Sequence, residues 1–261
     1  MIKVEKIISL LQTEYVGREI NYFQKLASTN AVAKEQATKG AKEGTVIFAE
    51  TQTQGHGRLN RPWISPKGGV WLSIILRPAI AAEETPKITL TTSIAVANAL
   101  HHLYGLKPEI KWPNDISIDA KKVCGILTES TIGGEKVKFA VVGIGINANF
   151  TLGALPGNLQ PTATTLKEVL GKNVDLERLV CDLLKEFEER YESFKNRQFD
   201  LLLGEWRKMA GFLGKKIEVT TFGEKWFGRA IDVDNSGALI VELEDSERKR
   251  ILSGDVTVRE V

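Results

Sequence analysis

Two apolar runs, residues 45–49 (TVIFA) and 70–76 (VWLSIIL), are too short for helices and rich in β-branched and aromatic residues. Both read as buried strands. The stretch between them, residues 50–66 (ETQTQGHGRLNRPWISP), packs Gly55, Gly57, Arg58, Arg61 and Trp63 into one loop. Glycines let backbone N–H groups approach an anion, arginines add fork-shaped donors, and a tryptophan offers a flat face to a base. The combination predicts a nucleotide-phosphate loop; the alternative is a solvated turn with its charges in water. Neither Gly-x-x-x-x-Gly-Lys-Ser/Thr nor a Gly-x-Gly-x-x-Gly opening a helix occurs, which removes the two commonest phosphate loops.

A chain of 261 residues can hold one large domain, or a large one with a small one. A net charge of +2 gives no basic excess of the kind that holds nucleic acid. The two cysteines, Cys124 and Cys181, lie far apart without Cys-x-x-Cys, so neither a disulfide framework nor a zinc site is indicated. Charges at Lys3, Glu5 and Lys6 interrupt the first apolar stretch, and no run reaches membrane-spanning length, so a cytoplasmic location is expected.

Along the chain, Val4, Ile7, Ile8 and Leu11 predict a short amphipathic helix and residues 20–23 a strand. Ser28, Thr29 and Asn30 precede a helical segment ending at Gly40, where their side chains suit capping. A third helix is predicted over 86–103, closing at Gly105; His101 and His102 at its end face different sides and make no metal pair. Residues 109–127 (EIKWPNDISIDAKKVCGIL) read as a hairpin turning at 119–121. Residues 137–146 are the most continuous apolar run, a central strand ending in Gly143, Gly145 and Asn147, where small residues let a ligand approach the backbone. The same strand is also taken as an edge through which two copies could pair as a homodimer. A core-facing helix over 176–194 carries Leu179, Val180, Leu183, Leu184, Phe187, Tyr191 and Phe194 on one stripe. From Phe212 onward, short apolar segments separated by glycines predict a small all-β module.

Four motifs in order carry a family resemblance: Ser28-Thr29-Asn30, the glycine-arginine loop, Lys111-Trp112-Pro113-Asn114-Asp115 followed by Lys122 and Gly125-Ile126-Leu127, and Gly143-Ile144-Gly145-Ile146-Asn147. With the C-terminal module, the chain resembles the biotin protein ligases, in the short class without an N-terminal DNA-binding domain. The resemblance implies an α+β fold: a mixed-sheet catalytic domain of class II synthetase/biotin ligase type over 1–210, and an SH3-like β-barrel over 211–261. It implies that biotin and ATP, with magnesium, form biotinyl-5'-AMP, and that the biotinyl group passes to a lysine of a biotin carboxyl carrier protein. Catalysis is expected of Lys111 and Arg58. Biotin is expected to meet Ser28, Thr29, Asn30, Gln52, Gly55, His56, Gly57, Arg58, Lys111 and Gly125. ATP is expected to meet Arg58, Arg61, Trp63, Lys111, Asn114, Lys122 and Asn147, with amides of Gly55 and Gly57 donating to phosphate. Against the family pattern, His56 and Leu59 stand where many members have arginine, and Asn60 replaces a glycine. Neither operator DNA nor a membrane is expected as a partner. A lipoate-type ligase on the same scaffold is the alternative, and a nucleic-acid or regulatory module on the barrel, around Trp226, Phe227 and Arg229, is the non-enzymatic one.

Overall fold

Alternation along the strands decides the layers, as the computed structural model, describing residues 2–221 and 223–258, shows. In chain order the elements are α1 (Val4–Leu10), β1 (Ile20–Phe23), α2 (Thr29–Thr38), β2 (Val46–Ala49), β3 (Val70–Leu76), α3 (Thr85–Tyr104), β4 (Glu109–Lys111), β5 (Asp115–Ile118), β6 (Lys121–Gly133) and β7 (Lys136–Ile146). There follow α4 (Leu166–Leu170), α5 (Leu176–Lys195), α6 (Phe199–Met209), β8 (Lys216–Thr221), β9 (Glu224–Val233), β10 (Leu239–Leu243), β11 (Arg248–Ile251) and β12 (Asp255–Val258). The first seven strands form one mixed sheet in the order β1-β2-β3-β7-β6-β5-β4, parallel only at β1 and β2.

On one face, Val46, Phe48, Leu72, Ile74, Val142 and Ile144 join the main core under α3 and α5. Their neighbours Ile47, Ile75 and Val141 point the other way and pack with Ala33 and Ala37 of α2. α3 is buried from Leu90 to Leu100 because it lies between the sheet and helices α5 and α6, and the hydroxyls of Thr91, Thr92 and Ser93 within it donate to carbonyls of their own helix. Gly105 ends it at φ 65°, a left-handed cap that favours glycine. The predicted stripe of α5 is buried throughout, and Asp175 caps the helix by accepting the N–H of Arg178. α6, which buries Trp206, has no counterpart in the sequence expectations.

One expectation fails. β7 lies between β3 and β6, with both its edges hydrogen-bonded, so it offers no edge to a second copy. The edge strands are β1 and β4, whereas the length and apolarity of the 137–146 run follow from burial on both faces at the sheet's centre.

The last five strands make a second, antiparallel sheet in the order β11-β10-β9-β8-β12. It is tied to the first sheet where Trp112, buried after β4, donates its indole N–H to the Gly237 carbonyl at 3.0 Å. Trp226 is partly buried against this core with the Lys249 ammonium over its ring, and Phe227 is exposed. No helix among the described residues is long and apolar enough to cross a membrane.

Candidate active site

The face of the sheet that carries α2 becomes bare toward one end. There the outward positions are Ser73 and Trp71 on β3, Gly143 and Gly145 on β7, and Leu127 and Gly125 on β6, paired in register. Three glycines in this strip leave a floor without side chains. A Cβ at Gly145 would stand 2.5 Å from Trp63 Nε1, and one at Gly125 would stand 2.9 Å from Trp63 Cζ3. At Gly143 it would run into Asn30 Oδ1. The indole of Trp63 therefore lies across Gly125 and Gly145, with Asn30 over Gly143 roughly 7 Å further along the strand.

Above this floor is a cavity of about 310 Å³. Its walls include Ser28, Thr29, Asn30, Gln52, His56, Gly57, Arg58, Arg61, Trp63, Asn114, Lys122, Gly125 and Asn147, all expected from the sequence. The N-terminus of α2 supplies the polar end. Thr29 donates its N–H to Gln52 Oε1 at 2.8 Å, and Ser73 Oγ lies 2.7 Å from Thr29 Oγ1 and 2.6 Å from Asn30 Oδ1. Ser28 caps the helix by accepting the Ala31 N–H, and Ser28, Thr29 and Asn30 all line the cavity.

Lys122 supplies the charge at the other end. Its Nζ lies 2.7 Å from Asp115 Oδ1 and 5.0 Å from the centre of the Trp63 ring. Its backbone is clamped by the segment before α4, donating to Thr162 O at 2.8 Å and accepting from Thr164 N at 2.9 Å. Asn147 lines the cavity, yet its amide is committed to the Thr164 carbonyl at 3.0 Å, holding that segment down. Leu155, Leu159, Thr162 and Ala163 of this segment complete the cavity wall, with Trp63 packed against the cluster that holds Leu155 and Ala163; none of the four was expected from the sequence.

Two expected residues are elsewhere. Lys111 ends β4 with its side chain exposed and off the cavity wall, without a hydrogen bond or ion pair among the described residues, because Ile110 takes the buried side of that short strand. Gly55 lies behind the loop, where a Cβ would meet the Trp63 carbonyl at 2.5 Å. Gly57 is on the wall, but its N–H already donates to Arg61 O at 2.8 Å, so that amide holds the loop rather than a phosphate.

The loop departs from the family pattern in a visible way. Leu59 and Asn60 both adopt positive φ, 55° and 56°. Asparagine tolerates this conformation; leucine is strained in it. Arg58 is anchored between the two sheets: Nη1 donates to Asn114 Oδ1 at 3.2 Å and Gly254 O at 3.0 Å, and Nη2 to Ser253 Oγ at 2.8 Å. Burial holds its pKa below the ordinary value against the opposing pull of Asp255 and Asp115. Asp255 reaches the cavity wall from β12, and nothing in the sequence marked it. Both cysteines are free and buried, and burial pushes the Cys124 thiol far up, away from reactivity.

The model of the biotin/lipoate A/B protein ligase family matches residues 21–147, and that of the biotin protein ligase C-terminal domain matches residues 212–259. A bifunctional ligase/repressor, BirA, of Bacillus subtilis is 36% identical over 94% of this chain and 76% of its own. The chain belongs to the biotin protein ligase family. A biotin–[acetyl-CoA-carboxylase] ligase of Paracoccus denitrificans is 32% identical over 82% of this chain and 90% of its own. A biotin protein ligase of Aquifex aeolicus, solved in complex with biotin and ATP, superposes with a TM-score of 0.80 at 30% identity, over 94% of this chain and all of that one. The family match spans the floor, the loop and Lys122, so most of the cavity wall lies within the matched residues.

Proposed function

We propose that this chain activates biotin with ATP as biotinyl-5'-AMP and transfers the biotinyl group to a lysine of a biotin carboxyl carrier protein, with Lys122 carrying the charge first expected of Lys111. One observation supports this above others: a single cavity holds neutral ring-binding groups at Thr29, Asn30 and Gln52 and cations at Lys122, Arg58 and Arg61. A two-sided polar ring and a charged phosphoryl group need such opposite ends.

In the first step the biotin carboxylate oxygen attacks the α-phosphorus of ATP and pyrophosphate leaves. Both reactants are anionic, so a fixed cation between them lowers the barrier, and Lys122 is clamped through its backbone for that task. Arg58 and Arg61 take phosphate oxygens. The Trp63 face and the 155–163 wall exclude water from the mixed anhydride. In the second step the carrier's lysine amine attacks the acyl carbon and AMP leaves with the bonding pair. Positioning and electrostatics supply most of the acceleration.

Magnesium enters as the nucleotide's companion. No group of three or more His, Cys, Asp or Glu among the described residues is placed to hold a metal, and no step is assigned to one. Residues 1–210 act as the catalytic unit and 211–261 as a module serving nucleotide use and transfer. We place the reaction in the cytoplasm, without operator DNA as a partner, and leave any homodimer to the edge strands β1 or β4.

Incubating the protein with labelled biotin, ATP and magnesium should yield bound biotinyl-AMP, then labelled carrier. Turnover with lipoate in place of biotin would decide for the lipoate-type alternative; failure with both would sink the proposal.

A further inference from the structure

Asn30 stands on the cavity wall with its side-chain orientation already decided. Nδ2 donates to Glu129 Oε2 at 2.8 Å and to the Leu127 carbonyl at 3.3 Å. Oδ1 accepts from Ser73 Oγ at 2.6 Å. A carboxylate and a carbonyl only accept, so turning the amide over would aim an oxygen at two acceptors. Oδ1 lies over the gap that Gly143 leaves in the floor, and as an amide oxygen it has a second acceptor position besides the one Ser73 uses.

Glu129 is itself off the cavity wall, on β6, with its side chain 24% exposed. Asn30 and Lys34 lie one turn apart on α2 and both reach its carboxylate, Lys34 Nζ binding Oε1. His56 Nε2 faces Oε2 at 3.9 Å. Burial would raise the pKa of Glu129, but hydrogen bonds from Lys34 and Asn30 outweigh it and hold the pKa below the ordinary value, so the group stays an acceptor.

We propose that Glu129 is a positioning residue for ligand specificity: by accepting Asn30 Nδ2 it keeps the Asn30 amide oxygen turned to the cavity as the acceptor for a ring N–H of the substrate. This rests on the biotin reading, since the ureido ring of biotin presents two such N–H groups. A ring with an acceptor at that position would meet Oδ1 as a repulsive contact. Glu129 thus acts on selection through Asn30, without touching substrate.

Glu129→Gln preserves shape but brings an amide N–H that can donate to Asn30 Oδ1, so the turned-over amide becomes available. Calorimetric titration of the full chain with biotin alone should show Kd raised about tenfold, the scale of one misplaced hydrogen bond near a charge. The steady-state kcat at saturating biotin and the KM for ATP should hold. The parent should reject an analogue with a ring oxygen in place of a ureido N–H, and this preference should collapse in Glu129→Gln. Ser73→Ala removes the internal donor to Oδ1 and leaves Glu129 in place, so it should keep the preference. Unchanged biotin affinity in Glu129→Gln, a parallel rise in KM for ATP, or loss of the preference in Ser73→Ala overturns the inference. If Glu129→Gln does not fold, Ser73→Ala decides alone, because loss there makes Ser73 the orienting group. A parent that binds no biotin overturns the functional reading instead.

Discussion

Arg61 Nη2 lies 2.6 Å from Asp255 Oδ2, joining the glycine-rich loop to the first residue of the last strand. Arg58 reaches the same corner through Ser253 and Gly254 and stands 3.6 Å from Asp255 Oδ1. In the proposed reaction these two guanidinium groups bind phosphate, and here an internal carboxylate occupies their charge and ties the loop to β12.

Asp255→Ala should therefore loosen the loop before any ligand arrives. Limited trypsin digestion should cut the Arg58–Leu59 bond faster in this variant, and biotin with a non-hydrolysable ATP analogue should restore protection. Equal digestion rates in variant and parent would show that the latch does not order the loop.

Arg58→Ala removes the proposed phosphate donor and the loop's tie to Asn114 and Ser253. The adenylate should leak. Released biotinyl-AMP should rise relative to biotin transferred, and an unchanged ratio would mean the loop is not its seal.

Lys122→Ala should lower adenylate formation by roughly two orders of magnitude, the ~3 kcal/mol typical of one preorganised donor, while biotin binding falls far less. Lys122→Arg keeps the charge but moves it, so rescue should be partial. Lys111→Ala should stay near the parental rate, since that side chain is off the cavity wall. Single-turnover formation of adenylate separates the two lysines, and a collapse at Lys111 alone would reverse their roles.

Gly145→Ala places a methyl 2.5 Å from Trp63 Nε1 on the cavity floor. Overpacking of this kind costs about 1–3 kcal/mol, and here it would act by lifting the indole. Trp63 fluorescence and adenylate yield should both change. An unchanged yield would mean the glycine floor is not needed.

Asp234 gives a pH test in the second sheet. Burial would raise its pKa, but hydrogen bonds from Ser236, Arg250 and the Ala238 N–H outweigh it and hold the value at about 2, against an ordinary 3.8. A lowered folded-state pKa contributes stability that is present above the unfolded value and lost as pH falls through the folded one. Asp234→Asn should lower the midpoint of thermal unfolding at pH 7, and the difference from the parent should shrink between pH 4 and pH 2. A gap that persists at pH 2 would place the effect in something other than the carboxylate.

The sequence alone determined the strands and helices whose period is local: β2 and β3 as apolar runs, the α5 stripe, and the cap at Ser28. It also placed most of the cavity wall, because the four motifs are short and each sits at the end of an element that its own residues predict. What it left undecided depends on which strand ends meet. Lys111 and Lys122 flank one hairpin, and both are lysines beside apolar residues. Only the pairing of β6 with β7, and the 162–164 segment clamped along Lys122, put the second on the cavity wall. The long apolar run of β7 announces burial but not its place in the strand order, since hydrophobicity is the same whichever neighbours hydrogen-bond to it. Asp255 and Glu129 are ordinary acidic residues in the sequence, far from the residues they hold. Arg61 and Asn30 came within reach of them only when the second sheet packed against the loop and α2 lay down on β3 and β7, where long-range packing and not local pattern sets the distance.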